Sequence, residues 1–302
     1  RWRGMACDTR VPGLLEALCV YQWGDLTNSR LSPGGRRSQW IRECRIWKRM
    51  SDYFPVTLVK TAELDPKRNY VLGYHPHGIL CVGGFVNFCT EGTGFSQVFP
   101  GITPHMATLN GLFHLPVYRE FLLSSGACPV SKEGLGHILG VGAGGEALVI
   151  VVGGRGRVHG RPSTHTRGAA QDRSGFIRVA LEHGADLVPV YCFGETALYD
   201  QAYFEPSSWA GRLQRGFQKA VGFAPCVFRG RGLLPPRSWG LLPFSRPLTT
   251  VVGAPIRVDK TPSPSQEDIA RYHALYQQAL RQLFDQHKVR CGLPENAALT
   301  IY

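Results

Sequence analysis

Two histidines, His75 and His77, stand two residues apart in a His-Pro-His-Gly tetrapeptide that ends at Gly78. The apolar run over residues 69–74 predicts a short buried strand that carries them. Side chains alternate along a strand, so both imidazoles are expected to point to the same side. Imidazole has the unperturbed pKa closest to neutral, which suits proton transfer next to a substrate. The alternatives are two core histidines with satisfied hydrogen bonds or an incidental metal-binding pair.

Several apolar runs predict the sheet that must hold this tetrapeptide. Three of them are β-branched and continuous, which is typical of strands covered on both faces. Pro189 lies within one of the three and predicts an irregularity or a sheet edge there. The ten residues 79–88 predict another buried strand or a segment that dips into one leaflet of a membrane. The three continuous runs are residues 147–152, 187–193 and 248–252.

Two helices are well marked in the second half of the chain. Residues 176–183 predict one, ended by Gly184 in left-handed backbone. The last helix begins with Ser265 and Asp268, which resemble a capping box. We therefore predict an α/β fold, a mixed β-sheet flanked by helices. The last helix carries an apolar stripe of Ile269, Tyr272, Tyr276, Ala279 and Leu283, with Leu275, Leu280 and Phe284 beside it.

A third helix is predicted between Ser38 and Met50, where Trp40, Cys44 and Trp47 recur at helical spacing. A basic amphipathic helix with tryptophans is suited to the headgroup boundary of a membrane. The alternative is an ordinary surface helix that packs its tryptophans on the core. The basic residues of this stretch are Arg36, Arg37, Arg42, Arg45, Lys48 and Arg49.

Beyond the histidines, short distinctive blocks follow one another in order from residue 34 to residue 302. They include Tyr53-Phe54-Pro55, Asn87-Phe88-Cys89-Thr90-Glu91, Cys128-Pro129-Val130-Ser131, Gly175-Phe176-Ile177-Arg178 and Phe193-Gly194-Glu195. Together with His-Pro-His-Gly, these blocks resemble the diacylglycerol acyltransferase 2 family, whose members esterify acylglycerols or fatty alcohols with acyl-CoA. Within that family, residues 34–42 and 291–294 look most similar to the 2-acylglycerol O-acyltransferases.

The resemblance implies an acyl-CoA-dependent O-acyltransferase that esterifies a monoacylglycerol or diacylglycerol in triacylglycerol synthesis. It implies a membrane-associated, glycerolipid-acyltransferase-like fold at the endoplasmic reticulum, with the catalytic domain facing the cytosol. The expected partners are acyl-CoA as co-substrate, the acylglycerol acceptor, the phospholipid membrane, and further copies of the chain or other family members. No cofactor and no metal are expected. The acceptor and the preferred acyl chain depend on pocket shape, which sequence does not specify.

The resemblance also implies roles for individual residues. His75 and His77 are the expected catalytic pair, with a histidine as general base and no covalent enzyme intermediate. Many glycerolipid acyltransferases carry an aspartate five residues after the catalytic histidine, but this chain does not. The orienting carboxylate is therefore expected to come from Glu91 or Glu195 after folding, although a lone carboxylate is more often a surface residue.

The remaining expected site residues bind the substrates. Backbone N–H groups of Gly83-Gly84 or Gly153-Gly154 are candidates for stabilising the oxyanion. Arg229 and Arg231 are candidates for holding the phosphates of coenzyme A, since guanidinium groups match phosphate geometry; the alternative is two solvated arginines. Further substrate-binding candidates are Gly78, Asn87, Pro129, Ser131, Arg173, Gly175 and Phe176.

The composition is consistent with this family but does not identify it. The chain has 302 residues, 43% of them hydrophobic, and a net charge of +12. Such a charge predicts an anionic partner: phospholipid headgroups, nucleic acid, or the phosphates of coenzyme A. The chain has no RNA-recognition signature and no zinc-ligand spacing, which disfavours nucleic acid. Nine scattered cysteines without a Cys-x-x-Cys pair favour reduced, cytosol-facing thiols over a disulfide framework.

Two regions depart from the family pattern. Residues 1–33 form an atypical N-terminal segment, in which no stretch approaches the roughly 20 apolar residues of a membrane span; the family's membrane anchor is expected to be missing or truncated. Residues 155–172 are basic and glycine-rich, where the family has a glutamate and an apolar stretch. This segment is expected to be a loop, or a short stretch translated out of frame.

Three functions therefore compete for the domain over residues 34–302. The first is an active acyltransferase. The second is a catalytically inactive relative that binds lipid, acyl-CoA or a family partner, as the replaced segment at 155–172 suggests. The third is a serine hydrolase of lipids, which is disfavoured because the chain has no Gly-x-Ser-x-Gly nucleophile elbow.

Overall fold

The structure is a computed structural model that describes residues 36–140, 144–152, 157–158, 161–162, 174–201, 208–209, 212–213, 216, 228–232 and 239–299. The atypical segment 1–33 lies outside these ranges. So does most of segment 155–172, of which residues 157–158 and 161–162 form a short antiparallel pair. The division into an N-terminal segment and an acyltransferase domain therefore stays a prediction.

Most of the described strands belong to one mixed sheet. In chain order the strands are β1 Val56–Lys60, β2 Tyr70–His75, β3 Thr103–Thr108, β4 Ala127–Pro129, β5 Glu146–Val151, β6 Arg157–Val158, β7 Arg161–Pro162, β8 Asp186–Phe193, β9 Asp200–Gln201, β10 Phe228–Arg231, β11 Trp239–Gly240 and β12 Leu248–Val252. Seven of them pair in the order β1-β12-β8-β2-β5-β3-β4. β2 is parallel to both of its neighbours, and β12 is antiparallel to β8. Strands β9, β10 and β11 form a separate small sheet.

Helices cover both faces of the main sheet. They are α1 Gln39–Arg42, α2 Arg45–Tyr53, α3 Val82–Gly84, α4 Phe95–Val98, α5 Tyr118–Ser125, α6 Lys132–Gly140, α7 Gly175–His183 and α8 Gln266–His287, with a π-helical turn at Phe85–Cys89 and 3-10 turns at Asn110–His114 and Glu195–Ala197. One core lies between the sheet and the helices from α2 to α5, and the other between the sheet and α6, α7 and α8. In the described ranges, no helix has the length and apolar character needed to cross a bilayer.

Alternation along β2 divides its side chains between the two cores. Leu72 and Tyr74 belong to the first core, whereas Val71 belongs to the second. His75 faces the second core as well, because it meets Tyr276 of α8. The central strand therefore ends with two neighbouring polar side chains, Tyr74 and His75, on opposite faces of the sheet.

The α/β fold with a mixed sheet flanked by helices is confirmed. All three continuous apolar runs are strands of the sheet, β5, β8 and β12. Helix α7 ends at Gly184, whose φ of 68° lies in the left-handed region. Helix α8 begins with the expected capping box of Ser265 and Asp268, and its stripe faces the second core. Leu275 is the exception, since it is exposed.

The strand expected at residues 79–88 is wrong, and the alternative of a membrane-dipping segment stays a prediction. The chain turns into α3 and the π-helical turn instead. The glycine pair allows this turn to lie against the sheet, because a side chain at Gly83 would stand 2.7 Å from the Tyr74 hydroxyl. Val82, Val86 and Phe88 fill the first core, so their apolar character serves packing within the domain.

The sheet-edge alternative at Pro189 is also wrong. Its strand, β8, is an interior strand between β12 and β2. The ladder between β8 and β12 ends at Val190, one residue from the proline, and the Pro189 carbonyl accepts from the Gly253 N–H at 2.9 Å. The missing proline N–H therefore falls where the ladder already stops, which is the irregularity that the proline predicts.

The amphipathic helix expected between Ser38 and Met50 is broken in two at Glu43 and Cys44. Its two tryptophans divide between the two interpretations: Trp40 is 78% exposed, whereas Trp47 packs on Phe85 and Phe121. Arg42, which the pattern places with the surface charges, is fully buried. Its guanidinium donates to the carbonyls of Phe88 and Ser125 and pairs with Glu91.

Candidate active site

The ring of His75 is held by the last helix. Its Nε2 lies 3.2 Å from the hydroxyl of Tyr276, and that hydroxyl donates to the Gly73 carbonyl at 2.9 Å. Because the single phenolic proton goes to the carbonyl, the oxygen accepts from His75, and the neutral imidazole carries its proton on Nε2. Burial raises the pKa of Tyr276, so the phenol stays protonated.

Local packing explains why Tyr276 can come this close to the strand. A side chain at Gly73 would overlap the Tyr276 hydroxyl, so the approach needs glycine. The Phe176 ring, at the start of α7, meets the Tyr276 ring edge-on with centroids 5.0 Å apart. The predicted site residue Phe176 therefore supports Tyr276, which in turn contacts His75, whereas a substrate contact of Gly175 stays a prediction.

His77 lies beyond the end of β2, so strand alternation does not extend to it. The expectation that both imidazoles point to the same side loses its physical basis there. The side chain is partly buried, and its Nδ1 lies 3.0 Å from the Gly78 carbonyl oxygen. A carbonyl can only accept, so Nδ1 carries the proton and the lone pair is on Nε2. Gly78 has a φ of 59°, which favours glycine at this turn.

Glu195 lies beneath the turn that follows the histidines. Its carboxylate accepts from the Val82 N–H at 2.7 Å, from the Gly83 N–H at 3.0 Å and from the Tyr74 hydroxyl at 2.9 Å. The side chain is 2% exposed, and this burial raises the pKa of Glu195. These contacts lie on the Tyr74 face of the sheet, opposite the His75 ring. Two of them fix the backbone of the turn at Val82 and Gly83.

The same contacts correct the oxyanion prediction at Gly83, the first residue of the predicted Gly83-Gly84 pair, and leave Gly84 a prediction. The Gly83 N–H already donates to Glu195, so it is not available to a tetrahedral intermediate. Gly153 and Gly154, the second candidate pair, lie outside the described residues.

The two other predicted polar residues of this region contact protein groups. Glu91 pairs with the buried Arg42 at 3.1 Å and accepts from Ser96. Asn87 is fully buried: its amide nitrogen donates to the Gly83 carbonyl and to the Thr250 hydroxyl, and its oxygen accepts from Thr93. These contacts tie the π-helical turn to β12, and a direct contact of either residue with substrate stays a prediction.

Pro129 and Ser131 lie at the same edge of the sheet as His75, since β2, β3, β4 and β5 are parallel. β4 is three strands from β2, which places the two motifs about 14 Å apart at the usual strand spacing. The Ser131 hydroxyl accepts from the Gly134 N–H and so caps α6. Arg173 lies outside the described residues.

The two predicted phosphate ligands lie on β10. Arg229 is exposed, and the Arg231 guanidinium stacks over the Tyr53 ring at 5.5 Å. Among the described residues, the buried Nε of Arg231 has no hydrogen-bond acceptor. Strand β9, the neighbour of β10, follows the Glu195–Ala197 turn directly, so this small sheet leaves the main sheet at the end of β8.

Sequence reasoning missed the roles of Tyr74 and Tyr276. Both appeared only as apolar-run residues, because periodicity treats an aromatic ring as core and ignores its hydroxyl. One signal was present: a tyrosine in an otherwise aliphatic buried stripe needs a partner for its hydroxyl.

The chain is an α/β protein with a mixed sheet, and its polar groups lie at the carboxyl ends of the parallel strands. This is where α/β enzymes usually carry their active sites. A family model described as diacylglycerol acyltransferase matches residues 15–302. The chain therefore belongs to the diacylglycerol acyltransferase family, and it is an acyltransferase.

Individual relatives agree with the family assignment. The chain is 53% identical to human 2-acylglycerol O-acyltransferase 3 over 268 residues, covering 88% of this chain and 78% of the relative. It is 48% identical to human diacylglycerol O-acyltransferase 2 over 287 residues, covering 95% and 74%. A solved structure, the 1-acyl-sn-glycerophosphate acyltransferase PlsC from Thermotoga maritima, overlaps with a TM-score of 0.39 at 13% identity, covering 90% and 92%. That overlap is too weak to match individual residues.

Proposed function

We propose that this chain transfers an acyl group from acyl-CoA to the hydroxyl of a monoacylglycerol or diacylglycerol, in triacylglycerol synthesis, with His77 as the general base. The observation that carries the assignment of the base is the hydrogen bond between His77 Nδ1 and the Gly78 carbonyl. It leaves the lone pair on Nε2 of a partly buried imidazole just past the end of the central strand. His75 is more deeply buried and lies against Tyr276.

In this mechanism, His77 Nε2 takes the proton of the acceptor hydroxyl while its oxygen attacks the thioester carbonyl. The new C–O bond forms, the tetrahedral intermediate collapses with cleavage of the C–S bond, and the imidazolium returns the proton to the departing thiolate. The products are the ester and free CoA, and the enzyme carries no covalent intermediate. General-base assistance of this kind contributes about 10²- to 10⁴-fold.

The other predicted residues support this reaction indirectly. Glu195 holds the backbone of the turn after the histidines, so its role is to fix the position of that turn. Arg229 and Arg231 are the proposed ligands for CoA phosphates. Among the described residues the buried Nε of Arg231 has no acceptor, and this supports the role, because a buried guanidinium N–H without an acceptor favours binding of an anion.

We place the enzyme at the endoplasmic reticulum membrane, with this domain facing the cytosol. The sheet edge that carries His77 supports a lipid-facing site. Exposed apolar side chains stand on the loops that leave β2, β3 and β4 at that edge, and the net charge of +12 favours anionic headgroups. They are Leu80, Leu109, Leu115, Val117 and Val130.

A second candidate is a catalytically inactive relative that binds lipid or a family partner. The resemblance favours it, because the family pattern has a glutamate where this chain carries the basic segment at residues 155–172. The chain leaves β5 at Val152, whose N–H donates to the Tyr74 carbonyl beside the histidines. The last described residue before the replaced segment, Val152, therefore lies next to the proposed site.

The test is an esterification assay on membranes from cells that express the chain, with radiolabelled oleoyl-CoA and monoacylglycerol, diacylglycerol or fatty alcohol. His77→Gln is the test variant, and His287→Gln on α8 is the matched control. Product that disappears only with His77→Gln supports the proposal and identifies the acceptor. Absence of product from folded, membrane-bound wild-type chain would favour the inactive relative.

A further inference from the structure

One hydroxyl connects the last helix to the strand that carries the histidines. Tyr276 accepts from His75 Nε2 and donates to the Gly73 carbonyl, so it contacts the end of β2 at two positions. We propose that Tyr276 is a positioning residue of the acyl-transfer site, which sets the ring orientation and tautomer of His75 and thereby the strand end from which His77 extends. The inference rests on the proposed function.

The surroundings make this contact rigid. Tyr276 is 2% exposed, its ring is packed edge-on by Phe176, and Leu280 and Leu283, one and two turns further along its helix, are buried in the second core. The absence of a side chain at Gly73 leaves room for the hydroxyl, because a Cβ there would collide with it. Phenylalanine would satisfy the packing equally well, so the hydroxyl has a function that packing does not explain.

The hydroxyl also affects the proton affinity of His75. An imidazolium donates from Nε2 more strongly than the neutral ring does, so an acceptor at Nε2 favours the protonated form. Removing the acceptor should therefore lower the pKa of His75. Among the residues that the structure describes, the phenols of Tyr276 on α8 and of Tyr191, in register on β8, face it, and His77 follows two residues along the chain. Helix α7 presents the uncharged Phe176, and Glu195 lies on the opposite face of the sheet.

The first test compares Tyr276→Phe with Tyr272→Phe, which removes a hydroxyl one turn earlier on the same helix. Tyr276→Phe should lower kcat about fivefold to tenfold, the loss expected for one hydrogen bond, with KM for acyl-CoA unchanged. Tyr272→Phe should change neither quantity.

The second test does not depend on activity. The pKa of His75 is measured on the purified full chain by deuterium exchange at the imidazole C2, with fragment ions that separate His75 from His77. The exchange midpoint should shift to lower pH in Tyr276→Phe and also in Gly73→Ala, which keeps the hydroxyl but displaces it. The second variant decides the question should the first fail to fold.

An unchanged midpoint for His75 in the folded variants would overturn the positioning role, even where activity falls, because the loss would then be structural. A shifted midpoint in a chain that forms no ester product would separate the two proposals. In that case Tyr276 holds His75 as inferred, and the acyltransferase function is the one that fails.

Discussion

Tyr74 and His75 are neighbours in the chain, but they enter opposite layers of the molecule because side chains alternate along β2. On one face, Tyr74 and Glu195 form a fully buried cluster in which both carboxylate oxygens accept from protein groups. On the other face, His75 meets Tyr276 and lies at the last position of the strand. One face fixes the backbone of the following turn, and the other orients the imidazole that precedes His77. The difference shows that a histidine motif can be positioned from two sides by groups of different chemistry.

The largest expected effect is on catalysis alone. His77→Gln should lower kcat about 10²- to 10⁴-fold, because it removes the proposed general base. The thermal midpoint should stay close to that of the wild type, since the side chain is only partly buried. Circular dichroism melts beside steady-state rates check both values. If the thermal midpoint fell together with the rate, the loss of activity would come from unfolding, and His77 would have a structural role like that of Tyr74 and Glu195.

Glu195→Gln should have its main effect on stability, lowering the free energy of unfolding by about 2–3 kcal/mol. In the wild type the backbone N–H groups of Val82 and Gly83 each donate to a carboxylate oxygen of Glu195. In the variant one of them faces the NH₂ group of the glutamine, which cannot accept. Chemical denaturation measures the loss, with Glu63→Gln at an exposed site as control.

This loss should also depend on pH. Burial raises the pKa of Glu195, so the folded state binds the proton more tightly than the unfolded chain does. Stability from this group is therefore greatest below the ordinary pKa of 4.5 and falls as the pH rises through the higher folded value. Because glutamine does not titrate, the difference in unfolding free energy between wild type and variant should decrease as the pH rises over that range. A difference that increases would contradict the direction of the pKa shift.

Alanine at Gly83 and alanine at Gly73 should each disturb one face of the sheet only. Each substitution should lower the free energy of unfolding by about 1–3 kcal/mol. Gly83→Ala places a methyl group 2.8 Å from the Glu195 carboxylate, and Gly73→Ala places one against the Tyr276 hydroxyl. Adding Tyr276→Phe should therefore offset part of the cost of Gly73→Ala and none of the cost of Gly83→Ala. Double-mutant cycles in denaturant measure the coupling. Equal coupling to both glycines would mean that the faces are not independent.

The smallest effect is expected at Thr250, whose buried hydroxyl accepts from Asn87. Thr250→Val keeps the shape but leaves one amide hydrogen of Asn87 unsatisfied, which costs about 1 kcal/mol. Thr249→Val, on the same strand, is the control. A loss of activity without loss of stability at Thr250 would instead support the predicted substrate role of Asn87.

Local sequence pattern was sufficient to predict strands made of continuous β-branched runs and a helix that begins with a capping residue. The β-branched runs predict β5, β8 and β12, and Ser265 with Asp268 predicts the start of α8, because strand burial and helix capping depend on nearby residues. The turn over residues 79–88 was beyond such reasoning. Its apolar composition suits a buried strand equally well, and only packing of Gly83 against Tyr74 and Glu195 selects the helical turn.

By itself, therefore, the sequence determined the family, the α/β class, and the histidine motif at the end of a strand, since each depends on short-range order along the chain. The tertiary structure alone decided the partners: Tyr276 lies 201 residues from His75, and Glu195 lies 121 residues from Tyr74. Contacts at such separation follow from strand order and helix packing, which no local periodicity encodes. For the same reason, burial of Arg42 and the engagement of the Gly83 N–H became visible only in the folded chain.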